Sequence, residues 1–161
     1  MKYRKHIRVK GYDYSANGYY FVTICTKNRQ PLFVAAPSYG ANKSLRDIVK
    51  EKLSQINKYY PGVGIDYSVI MPDHIHVIFI LEDAKISLAR VINAFKSWVT
   101  RDIKKNLASQ GDAATMRWTE DIWQLNYYEH IIRNERALAK IREYIEHNPG
   151  VEKLNWGELD K

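Results

Sequence analysis

Hydrophobic positions along the chain change their spacing several times, and each change marks an element. Residues 19 to 26, YYFVTICT, are β-branched and aromatic, follow Gly18 and stop at the polar run KNRQP, which predicts a strand. After a loop with Pro31, Pro37 and Gly40, Ser44 stands as the N-cap of a helix on which Leu45, Ile48, Val49, Leu53 and Ile56 recur at helical spacing until YYPGVG stops it. IDYSVIM (65 to 71) and HIHVIFIL (74 to 81) flank Pro72-Asp73 and predict two antiparallel strands joined by a tight turn. Ser87 caps a second helix whose apolar stripe is Leu88, Val91, Ile92, Phe95, Trp98, Val99 and Ile103. IWQLNYYEHII (122 to 132) predicts a short strand. Asn134 then caps a last helix, ERALAKIREYIEH, which ends at Asn148-Pro149-Gly150.

The order β-α-β-β-α-β-α belongs to the α+β class. It matches a ferredoxin-like (RRM-like) antiparallel sheet with helices on one face and an additional C-terminal helix. The other face is left for a ligand or for that extra helix. At 161 residues the chain is expected to form one domain, with a basic arm over 1–18 and a tail over 150–161.

The strand 74–81 breaks its own pattern. By period-two alternation His74, His76, Ile78 and Ile80 share one face, and Ile75, Val77, Phe79 and Leu81 share the other. Both faces are otherwise apolar, as in a central covered strand. Two imidazoles on one face are either hydrogen-bonded core residues or a pair converging on one divalent ion, and the pair alone leaves both readings open.

Charge narrows the partners. The chain carries a formal +7, which points to a polyanion, with nucleic acid first. The arm MKYRKHIRVKGY alternates Arg4, Lys5, Arg8 and Lys10 with aromatic and apolar residues, a mixture suited to a phosphate backbone and its bases. The polar face of the second helix adds Arg90, Lys96, Arg101, Lys104 and Lys105. Cys25 is the sole cysteine, so no internal disulfide forms and a reducing compartment fits. No apolar run approaches the ~20 residues that span a bilayer, so a cytoplasmic protein without membrane contact is expected.

On the last helix Tyr144 and Asn148 stand four residues apart, on one face beside the stripe of Ala137, Leu138, Ile141 and Ile145. Taken alone, this reads first as an amphipathic tyrosine near a helix end followed by an asparagine C-cap before proline. The set YYFVTICTKNRQPLF, VIMPDHIHVIF, WQLNYYEHIIRNE and IREYIEHNP, in that order and spacing, resembles the REP-associated tyrosine transposases and the small insertion-sequence single-strand transposases, which are HUH endonucleases with a single catalytic tyrosine. The resemblance implies that His74, His76 and Asn148 hold a divalent metal, Mg²⁺ or Mn²⁺. It also implies that Tyr144 is the nucleophile of a DNA nicking and rejoining reaction through a 5'-phosphotyrosine.

Single-stranded or hairpin DNA is the partner so implied, with Arg4, Lys5, Arg8, Lys10, Arg90, Lys96 and Arg101 as candidate contacts. Both a homodimer and a monomer are compatible with it. The likeness thins after Pro149, where the family's Val-Lys-His-Gly is replaced by GVEKLNWGELDK. Two other readings are a water-using phosphodiesterase with a structural Tyr144, and a domesticated hairpin-binding module that no longer cuts. A histidine-triad hydrolase is disfavoured, because position 78 is isoleucine.

Overall fold

The structure is a computed structural model that describes residues 8–34, 43–109, 121–147 and 154–159. Its elements are β1 (Gly18–Cys25), α1 (Leu45–Ser54), α2 (Ile56–Tyr59), β2 (Val63–Ile70), β3 (His74–Leu81), α3 (Leu88–Ser109), β4 (Tyr128–Ile132), α4 (Glu135–His147) and α5 (Trp156–Leu159). The strands form one antiparallel sheet in the order β2-β3-β1-β4. The α+β, ferredoxin-like expectation therefore holds.

Local chemistry explains where the helices start. The Ser44 hydroxyl accepts the Asp47 amide at 3.1 Å, and Asn134 Oδ1 accepts the Ala137 amide at 2.7 Å, so each cap satisfies an amide that its helix leaves unpaired. Two boundaries differ from expectation. The first helix breaks at Gln55 into α1 and α2, with Ile56 still carried into the core. Residues 122–127 are not strand. Trp123 makes only an isolated bridge to Thr26, and its indole N–H donates to the carbonyl of Lys96 at 3.2 Å, so burial of the indole overrides the β-like composition.

Strand alternation divides the core into two layers. Tyr20, Val22 and Ile24 of β1 and Ile75, Val77, Phe79 and Leu81 of β3 face α1 and α3. Phe21 and Ile78 face the opposite way, against Ala137, Leu138, Ile141 and Ile145 of α4 and Leu159 of α5. Each large aliphatic side chain fully withdrawn from water contributes roughly 1.5 to 3 kcal/mol, so three on one short helix dock α4 firmly. Asp66 and Arg142 add a lateral anchor. The register of β2 with β3 shifts between Ile65 and Tyr67, and there Arg142 Nε donates to Asp66 Oδ2 at 2.7 Å while its Nη2 donates to the other carboxylate oxygen.

The face left open by the sequence pattern is thus closed by the C-terminal helix. Among the described residues no helix is long and apolar enough to cross a membrane.

Candidate active site

The pairing of β1 with β3 sets Thr23 opposite His76 and Cys25 opposite His74, all on the α4 side of the sheet. Each imidazole is held by its Nδ1. His74 Nδ1 lies 2.6 Å from Asp73 Oδ1, and His76 Nδ1 lies 2.8 Å from the Thr23 hydroxyl. The two Nε2 atoms are thereby turned toward each other, 3.1 Å apart.

A carboxylate accepts only, so His74 presents its proton at Nδ1 and its lone pair at Nε2. Two facing imidazole nitrogens at this distance call for a proton or a cation between them. Nitrogens each about 2.1 Å from one ion at ordinary coordination angles stand roughly 3.0 to 3.4 Å apart, so the pair fits a shared metal. Oriented Nδ1–H groups with outer hydrogen-bond partners are the usual support for such ligands. Among the described residues no group of three His, Cys, Asp or Glu side chains surrounds this point.

Tyr144 projects from α4 against the His76 imidazole. Its ring centroid is 5.7 Å from that of His76, at 64°, and both rings contact Phe21, which stacks on His76 at 5.4 Å and meets Tyr144 edge-on at 6.5 Å. Ile141 and Ile145 on either side of Tyr144 are buried, which fixes the direction of the tyrosine. Burial pushes the Tyr144 phenol above its ordinary value, so it is neutral at rest. Trp156 of α5 packs on Phe21 at 5.2 Å and on His130 at 4.8 Å, so the described part of the tail lies on the sheet beside the site.

The structure therefore brings together His74, His76 and Tyr144. Asn148, Arg4 and Lys5 lie outside the described residues. Lys10, Arg90 and Arg101 are exposed. Arg90 and Arg101 sit on α3, which covers the sheet face opposite the imidazoles, so the sheet separates them from the pair.

Arg8 lies 3.9 Å over the Tyr127 ring and 4.0 Å from Glu129 Oε1, engaged within the fold. Lys96 is a correction. Its side chain turns inward, with Nζ donating to the carbonyls of Gln124 at 2.8 Å and Leu125 at 3.3 Å, and it tethers that loop instead of meeting DNA. Desolvation lowers its ammonium to about 8.

Sequence reasoning missed Thr23, Phe21 and Asp73. Of these only Asp73 carries a sequence signal, its adjacency to His74. The other two become visible only once the strands are in register.

The fold is that of known transposases. A REP-associated tyrosine transposase solved in complex with a REP hairpin superposes with a TM-score of 0.60 at 21% identity, over 92% of this chain and 72% of that one. A Deinococcus radiodurans protein provisionally named a transposase gives 0.55 at 21%, over 86% and 95%.

The family follows from sequence. Residues 14–148 match the family described as Transposase IS200 like. An uncharacterised Haemophilus influenzae protein is 34% identical over 92% of this chain and 89% of its own length. A second protein of that organism, provisionally named a REP-associated tyrosine transposase, is 31% identical over 85% and 73%. The chain belongs to the IS200-like transposase family.

Proposed function

We propose that the protein cleaves and rejoins single-stranded DNA beside hairpins, through a covalent 5'-phosphotyrosine on Tyr144. The observation that carries this reading is the meeting of two elements remote in sequence. A tyrosine on α4 stands against His76, one of the two imidazoles whose Nε2 atoms face each other. Its Oη gives up its proton to solvent and attacks the scissile phosphorus, the bond from phosphorus to the 3'-oxygen breaks, and that oxygen takes up a proton to leave a free 3'-hydroxyl.

The reverse attack by a 3'-hydroxyl reseals the strand without ATP, because the phosphotyrosine keeps the diester's bond energy. His74, His76 and, as the third donor, Asn148 would hold Mg²⁺ or Mn²⁺. That ion supplies Lewis-acid polarisation of the phosphate when bound. Imidazoles beside an amide favour Mn²⁺ among hard ions. The +7 charge and the hairpin bound by the related transposase support hairpin DNA as the substrate.

Incubation with a panel of labelled single-stranded hairpins and Mn²⁺ tests the reading. It expects a denaturation-resistant adduct that maps to Tyr144 and disappears in Tyr144→Phe. Cleavage that survives Tyr144→Phe overturns it in favour of hydrolysis by water, and binding without nicking overturns it in favour of a non-cutting hairpin module.

A further inference from the structure

Arg29 is built into the histidine pair from outside it. Its Nε donates to Asp73 Oδ2 at 2.8 Å and its Nη1 to the Cys25 sulfur at 2.8 Å, while the other carboxylate oxygen of Asp73 holds His74 Nδ1 at 2.6 Å. One carboxylate therefore joins a guanidinium to a candidate metal ligand. The third nitrogen, Nη2, has no hydrogen-bond partner among the described residues, and the side chain is 50% exposed. Its two N–H groups are left for something that comes from solvent.

The backbone beneath it is held in an uncommon shape. Asn28 and Arg29 both adopt left-handed φ angles, 54° and 56°, which L residues take up only under constraint. The constraint is visible. Lys27 N–H donates to Ile122 O at 2.8 Å, Arg29 N–H to Thr26 O at 3.1 Å, and the Thr26 hydroxyl lies 2.7 Å from Gln30 O and 2.9 Å from Asp73 O. Such over-determined strain is concentrated at functional sites.

Charge balance gives it a use. Asp73 is needed to orient His74, yet a bare carboxylate beside the imidazoles would repel an approaching phosphodiester. Arg29 cancels that charge and still has donors to spare.

We propose that Arg29 grips a non-bridging phosphate oxygen of the single strand at the histidine pair and, through Asp73, positions the His74 ring. The proposal rests on the reading of this site as one for single-stranded DNA. It is tested by fluorescence anisotropy of a labelled hairpin with single-stranded flanks, titrated in EDTA over a range of KCl, with Mn²⁺ affinity measured separately.

Arg29→Gln is expected to weaken binding about tenfold or more and to reduce the slope of log affinity against log salt by about 0.7, one phosphate contact on a single strand. Arg29→Lys is expected to recover the slope. Asp73→Asn should keep the slope and lose Mn²⁺ affinity. Wild-type affinity and slope in Arg29→Gln overturn the proposal, and so does an equal loss of DNA affinity in Arg29→Gln and Asp73→Asn, since Arg29 is then only a strut. Should Arg29→Gln unfold, the slope of Arg29→Lys decides: a slope lowered by the full contact overturns it. A wild-type chain that binds no DNA removes the parent reading and this one together, whereas binding without adduct removes only the parent.

Discussion

The Nε2 atoms of His74 and His76 face each other across 3.1 Å because Asp73 and Thr23 occupy the opposite nitrogens. The pair is an oriented two-point site, and its orientation comes from a turn residue and a neighbouring strand.

Removal of either outer partner should therefore weaken metal binding without removing a ligand. Asp73→Asn and Thr23→Val are each expected to lower Mn²⁺ affinity by about 10- to 100-fold, and His74→Ala or His76→Ala to abolish it. Isothermal titration calorimetry reads all four. An unchanged affinity in Thr23→Val would mean that the hydroxyl does not orient His76.

Phe21 touches His76, Tyr144 and Trp156 at once. Phe21→Ala should cost about 3 to 5 kcal/mol of stability by urea unfolding. Phe21→Leu keeps most of the volume but loses the flat face that aligns the two rings. It should slow single-turnover adduct formation by up to about a hundredfold while hairpin affinity stays near wild type.

Tyr144 is only as well placed as α4. Ile141→Ala should cost about 2 to 5 kcal/mol and Asn134→Ala, which removes the cap, about 1 kcal/mol. Both should depress adduct yield more than DNA binding. An Ile141→Ala protein with full adduct yield would show that the apolar stripe does not set the position of the tyrosine.

Glu129 supplies a pH test. Burial raises its carboxyl above the ordinary value of 4.5, against the opposing Tyr14 hydrogen bond and the Arg8 charge, and its Oε2 has no hydrogen-bond partner among the described residues. The folded state thus holds this proton more tightly than the unfolded chain. The stability so gained is complete below the ordinary value and is lost as pH rises through the raised one. Glu129→Gln should escape that loss, so its stability relative to wild type should climb as pH rises above about 4.5 and then level off. A flat difference in urea midpoints from pH 4 to 7 would contradict the burial argument.

Much of this fold was legible because a strand repeats every two residues and a helix every 3.6. Alternation alone placed both histidines on one face. The helix caps at Ser44 and Asn134 were likewise local chemistry. What failed needed tertiary information.

The charge of Lys96 suggests the outer face of its helix, yet it lies four residues after Ile92 and three before Val99, inside the apolar stripe. The strand end at 122–127 was overextended because Trp123 and Tyr127 look β-like but are buried as loop residues. Thr23 meets His76, and Arg29 meets Asp73, only because β1 and β3 lie side by side, which composition does not disclose.

The docking of α4 on the imidazole face also has a consequence for how the molecule comes into being. Thr23 and His76 are 53 residues apart, and Tyr144 is synthesised last of the three. A chain emerging from the ribosome can pair β1 with β3 and orient both histidines well before the helix that brings the tyrosine exists. Tyr144 arrives as the closing piece, so a chain cut short by incomplete translation would present the paired imidazoles without the tyrosine that packs against them.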